Sequence, residues 1–276
     1  MYDYIRESTS YYELFKEVAK VKKEIKPEYV SYGSHKDQYF LYYEPETPVS
    51  DKVIFWVHGG GWNQGNPNSF DFVGQCAAKA GYRFVSAGYR LSPFYKYPCQ
   101  IIDVCRCYNA AMGYLKSKDI AISKVVVSGP SAGAHLSSIM CYNKGIQRKM
   151  EVDVSNIIGF IGVGGPYSFH NAGFTLTALM LQLFKSDYNT RKGEPVVLMN
   201  KSNIPMLLIQ SKHDGLIDFS CAEEMAERAK ELGIKCEVYE VEDEKNTHSW
   251  YTAGMFTQSR EESKTLDKFF SWIENI

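Results

Sequence analysis

Apolar residues along this chain gather in two ways. They form short runs near residues 53–57, 83–89, 124–127, 157–163, 206–210 and 235–241, and between the runs they recur every three or four positions. A run such as Val53-Ile54-Phe55-Trp56-Val57 predicts a strand buried on both faces, as in parallel sheets covered by helices. The stretches between predict helices over 69–80, closed by Gly81, and over 100–115, with Ile101, Val104, Tyr108, Met112 and Leu115 on one face. Further helices are expected over 132–142, 175–185, 221–232 (closed by Gly233) and 259–276. Ahead of them, Tyr11, Leu14, Phe15, Val18, Val21 and Ile25 lie at helical spacing within 1–26, and Pro27 ends that pattern. This helix is expected to cover the core rather than a site. Residues 29–43 alternate loosely, as an antiparallel strand pair would, 44–50 read as a surface turn, and 143–153 read as a charged surface loop. Strands alternating with helices predict an α/β fold: a mostly parallel twisted sheet with helices on both faces.

The predicted helix over 175–185 is apolar nearly all round, so more than one of its faces should be covered. Residues 167–203 around it read either as a small insert over the strand ends, hence a candidate lid or acyl-pocket wall, or as an ordinary crossover. No repeat, low-complexity segment or linker divides the 276 residues, so 1–276 is expected to be a single domain. The formal charge of −1, with acids and bases mixed throughout, argues against nucleic acid or an anionic membrane as partner. Met1-Tyr2-Asp3-Tyr4-Ile5-Arg6-Glu7 has no basic segment leading into an apolar one and does not read as a signal peptide. The uncharged stretch 154–184 is broken by glycines and Pro166 into pieces too short to span a bilayer. Seven cysteines, an odd number without a C-x-x-C pair, predict buried free thiols in a reducing compartment, the cytoplasm. The six histidines show no metal-ligand spacing, and no metal or other cofactor is expected.

The candidate chemistry begins at Gly129-Pro130-Ser131-Ala132-Gly133, between a predicted strand and a predicted helix. In that context G-x-S-x-G marks a sharp turn with an exposed serine at its tip. A serine hydroxyl is a weak nucleophile, and it must project freely toward a base and a carbonyl. The two glycines fall where strand and helix backbones crowd. After the strand at 53–57 comes His58-Gly59-Gly60-Gly61-Trp62, whose adjacent glycines leave backbone N–H groups bare, as stabilisation of an oxyanion requires. A phosphate loop would instead continue with Lys-Ser or Lys-Thr, and Trp62-Asn63-Gln64 does not. Asp214 and His248 each follow a predicted strand. In a doubly wound sheet such positions gather at one edge, and the chain order is Ser, Asp, His.

These motifs, together with Tyr89-Arg90-Leu91-Ser92-Pro93, resemble the α/β-hydrolase superfamily over about residues 50–276. Within it the chain resembles carboxylesterases around hormone-sensitive lipase and the bacterial feruloyl-esterase-like carbohydrate esterases. It departs from them at Pro130, where an acidic residue is usual, and at Ser249-Trp250 after the histidine. The resemblance implies Ser131 as nucleophile, His248 as general base and Asp214 as its orienting acid, with Asp218 as the rival acid. It also implies an oxyanion hole from the N–H groups of Gly60, Gly61 and Ala132. Trp62 and Tyr167 are candidate pocket walls, and either could equally be plain packing. His58 is expected to brace the glycine loop, His213 to point away from Asp214, and His135, His170 and Asp103 to be structural. The function so implied is a serine carboxylesterase acting on small or aromatic acyl esters, carbohydrate esters among them, with a small-molecule ester as partner. An arylformamidase or small-peptide amide hydrolase is the second reading, because the same triad serves amides. A non-catalytic binding protein on this scaffold is the third.

Overall fold

The computed structural model describes residues 4–120 and 124–276. Among them eight strands form one sheet: β1 Glu28–Ser31, β2 Tyr39–Tyr43, β3 Val53–Val57, β4 Arg83–Ala87, β5 Val125–Pro130, β6 Ile157–Val163, β7 Met206–Gln210 and β8 Cys236–Glu240. Their spatial order is β1-β2-β4-β3-β5-β6-β7-β8. The β1/β2 and β2/β4 pairs are antiparallel and the remaining pairs parallel, so β3 to β8 all end at the same edge. The helices are α1 Tyr4–Lys20, α2 Asp71–Lys79, α3 Cys99–Ser117, α4 Ala132–Tyr142, α5 Lys144–Met150, α6 Phe174–Leu183, α7 Pro195–Leu198, α8 Ser220–Glu231, α9 His248–Thr252 and α10 Lys264–Asn275.

Strand alternation divides the core in two. Val53, Phe55 and Val57 join Val125, Val127 and Phe160 on one face, under Val104 and Tyr108 of α3 and Leu136 and Met140 of α4. Ile54 and Trp56 join Phe84, Val126 and Ile161 on the other, under Val73 of α2 and Phe269 and Phe270 of α10. With helices on both faces, the central strands have no polar side to show. The two edge strands are mostly exposed and carry Glu28, Glu237 and Glu240 opposite Lys118, Lys268 and Lys212, charges that discourage further strand pairing.

Several boundaries differ from expectation, each for a local reason. The first helix ends at Lys20 rather than near residue 26, because the buried Gln75 takes over the backbone beyond it. Its amide oxygen accepts the N–H groups of Glu24 and Ile25, and its nitrogen donates to Ile25 O. Residues 1–3 of the expected helix lie outside the described residues. The segment expected to be a loop over 143–153 contains α5. Asn143 Oδ1 caps it by accepting from Gly145 and Ile146 N–H, and it buries no side chain, so it leaves no apolar signature. The last helix starts at Lys264, where the carboxylate of Asp243 accepts from Ser263 Oγ and from the N–H groups of Lys264 and Thr265. Helix α6 buries only Leu176 and Leu183, and Phe174 and Leu181 are exposed, against the expectation of covered faces. Among the described residues no helix is long and apolar enough to cross a membrane. All seven cysteines are free thiols.

Candidate active site

β5 feeds directly into α4 through Ser131, which stands at φ 52°, ψ −122°, a conformation that costs a non-glycine residue about 1–3 kcal/mol. Its N–H donates to Val163 O at 2.8 Å, which holds the tip onto β6. A Cβ on Gly133 would lie 1.9 Å from Val57 O, and one on Gly129 2.7 Å from the same oxygen, so the turn can close only without side chains there. Pro130 fits because its nitrogen faces β3, whose pairing with β5 ends at Ser128, and no ladder bond is lost.

The glycine loop lies beside this turn. Gly60, Gly61 and Trp62 all have positive φ (105°, 57° and 61°), and Gly60 O accepts from the N–H groups of Asn63 and Gln64. Beneath it His58 is fully buried, stacked on Tyr89 with ring centroids 4.2 Å apart, and its Nδ1–H donates to Gly59 O at 2.7 Å. Trp62 donates from Nε1 to His135 Nδ1, and His135 Nε2 donates to Gly193 O at 2.7 Å, so the indole edge is fixed.

Burial pushes the pKa of His58 and of His135 from 6.5 down to about 4. A depressed folded-state pKa gives stability that is present above the unfolded value and is lost as pH falls toward the folded one. Each histidine should therefore remove about 2 kcal/mol of stability between pH 6.5 and 5. Urea unfolding across that interval should show a shallower pH slope for His58→Phe than for wild type, whatever the variant's absolute stability. Equal slopes would mean that His58 is not held neutral.

At the end of β7, Asp214 Oδ1 accepts the N–H groups of Leu216 (2.7 Å) and Ile217 (2.8 Å). Its Oδ2 lies 2.7 Å from His248 Nδ1 and also accepts the hydroxyl of Tyr251. Nδ1–H therefore donates to Asp214, and Nε2 is left as the basic nitrogen. Burial works to lower the His248 pKa, but the charge and hydrogen bond of Asp214 and the charge of Glu7 outweigh it, and the net shift is upward. Asp218 is exposed and caps Ser220 N–H instead, which leaves Asp214 as the histidine's partner. His213 and His170 are exposed, and Asp103 is buried in a bidentate pair with Arg90.

Ser131, His248, Ala132, Gly60, Gly61 and Trp62 all wall one cavity of about 700 Å3. Tyr167 does not. Its ring packs into space left by Gly162 and Gly165, inside the core, which corrects its assignment as a pocket wall. The remaining walls are largely apolar, and some come from the segment 167–203 that the sequence marked as a candidate lid or acyl-pocket wall. Tyr11, Leu14, Phe15 and Val18 of α1 line the cavity, so that helix covers the site as well as the core. Leu176 and Leu179 come from α6, and Leu216 and Ile217 from the loop after Asp214. Glu7 and Tyr251 were also missed. Each touches the histidine or its acid from another element, and no short motif announces either.

Comparison with known proteins agrees with this architecture. An esterase of Gibberella moniliformis is 23% identical over 219 residues, 73% of this chain and 68% of that protein. A 98-residue stretch is 33% identical to the FAD-linked oxidoreductase pytB of Aspergillus terreus, covering 35% of this chain and only 12% of that protein. The crystal structure of esterase B from Lactobacillus rhamnosis superposes with a TM-score of 0.77 at 17% identity, covering 97% of this chain and 91% of that one. That likeness is one of fold, the α/β-hydrolase fold. The BD-FAE family model matches residues 40–229, which run from β2 through the glycine loop, the elbow and Asp214 and cover more than half of the chain. The chain belongs to the BD-FAE family of α/β-hydrolases.

Proposed function

We propose that the protein is a serine carboxylesterase that works through an acyl-enzyme. The observation that carries this is the strained Ser131 in the same cavity as a histidine already oriented by a buried carboxylate. Ser131 Oγ attacks the ester carbonyl carbon while its proton passes to His248 Nε2, and Asp214 stabilises the imidazolium that forms. The carbonyl oxygen, now an oxyanion, is met by the N–H groups of Gly60, Gly61 and Ala132. Ala132 opens α4, where N–H groups have no partner within the helix. Collapse breaks the bond to the leaving alcohol, which takes the proton from His248. Water then repeats the sequence on the acyl-serine, releases the acid and restores Ser131.

The apolar walls favour small or aromatic acyl groups, esters on carbohydrates included. Leu176 and Leu179 support a reading of 167–203 as a cap on a single domain. The free thiols suit a reducing, cytoplasmic setting.

The test is a panel: p-nitrophenyl esters of increasing chain length, methyl ferulate, acetylated xylan and N-formylkynurenine. Short and aromatic esters should be turned over with kcat/KM at least about a hundredfold above the formamide. Preference for N-formylkynurenine would replace the esterase by an arylformamidase, and no turnover of any member would favour a binding protein. On p-nitrophenyl acetate, kcat/KM should fall as pH drops through the raised His248 pKa, because only the neutral ring accepts the serine proton.

A further inference from the structure

Glu7 lies on the first turn of α1, more than two hundred residues from His248 in sequence, and is only 3% exposed. Its Oε1 accepts His248 N–H at 2.8 Å and Gly215 N–H at 2.9 Å. One oxygen thus joins the loop that carries Asp214 to the residue that carries the imidazole. Space for it is specific, since a Cβ on Gly215 would lie 2.5 Å from Glu7 Cγ. The neighbouring Arg6 reinforces the attachment by donating to Asn246 Oδ1 at 2.6 Å.

Two backbone bonds alone do not call for a carboxylate. A glutamine oxygen would accept both, and a neutral amide costs less to bury than a carboxylate whose Oε2 is buried without a hydrogen-bond partner among the described residues. A buried negative charge becomes favourable when a neighbour turns positive. Asp214, from the loop after β7, and Glu7, from α1, bond to His248, the Tyr251 ring of α9 packs edge-on to its imidazole, and Ser131 of the elbow and Tyr11 of α1 line the same cavity. None of these becomes positive, and His248 itself does so in the proposed reaction. Resting on that reading, we propose that Glu7 is a positioning residue for catalysis: it fixes the backbone of His248 and supplies a second negative charge that favours the imidazolium. Burial lowers the His248 pKa, Asp214 raises it by its charge and its hydrogen bond, and the smaller contribution of Glu7 is also upward.

The test uses the full chain with Glu7→Gln, which keeps the acceptor and removes the charge, and Glu7→Asp, which keeps the charge and withdraws it by one methylene. The ring titration of His248 is followed by NMR, which requires no activity. In Glu7→Gln the midpoint should fall by about half to one pH unit. The acid limb of kcat/KM for p-nitrophenyl acetate should move the same way, with kcat down about tenfold and KM within about twofold. Glu7→Asp should keep the limb closer to wild type. An unchanged midpoint in folded Glu7→Gln overturns the proposal, as does loss of fold in both variants, which would make Glu7 a folding element only. If wild type shows no Ser131-dependent hydrolysis, the esterase reading fails separately, and the titration still decides whether Glu7 acts on His248.

Discussion

Ser131→Ala should lower ester hydrolysis by roughly five to six orders of magnitude while leaving the protein folded. The hydroxyl is the only group on the cavity wall placed at the tip of the elbow, and the turn itself is held by backbone: Ser131 N–H on Val163 O, and Gly133 against Val57. Removing Oγ touches neither. His248→Ala should cost nearly as much, Asp214→Asn about four orders, and Ser131→Ala combined with His248→Ala little more than either alone, as expected of the proposed triad acting as one unit. A fluorophosphonate probe should label the wild type at Ser131 and leave Ser131→Ala unlabelled. Labelling that survives the substitution would place the nucleophile elsewhere. Ser131→Gly separates chemistry from stability. It should be equally inactive, yet it should raise the unfolding free energy by about 1 kcal/mol, since glycine relieves the strained backbone at φ 52°.

Gly133→Ala should have the largest effect on folding. The added carbon would sit 1.9 Å from Val57 O and 2.7 Å from His58 O, both backbone atoms that cannot rotate aside. The helix behind the serine would have to lift off the end of β3 and take the glycine loop with it. A loss above about 4 kcal/mol is expected, seen as insoluble protein or a large drop in the urea midpoint. Gly113→Ala is the control. Gly113 lies on an exposed turn of α3 with nothing within 4 Å of its would-be Cβ, and there the substitution should stabilise by about 0.5–1 kcal/mol. Equal stability of the two variants would show that the crowding at Gly133 is relieved by small backbone movement.

The sheet could be read from the chain because a strand buried on both faces has no polar positions, and a chain in water seldom carries such a run unless it is buried. β3, β5, β6 and β7 were legible for that reason. Helix ends were less so, since Gln75 and Asp243 decide them from a distance, and α5 buries nothing that would mark it. Among candidate site residues, those at strand ends were legible because topology alone brings strand ends together. Tyr167 stayed open between wall and packing because a place after a strand end does not say whether a ring turns up into the cavity or down into the core. Here the bare Gly162 and Gly165 turned it down.

The α/β architecture, the serine elbow and the glycine loop are written in the order of residues along the chain, because these depend on local backbone chemistry and on the period of burial. It took the packed molecule to show that α1 lines the cavity, that Tyr251 joins His248 on Asp214, and that Glu7 reaches the histidine's backbone. Those are contacts between segments far apart along the chain. They depend on where whole elements pack, which no local pattern encodes.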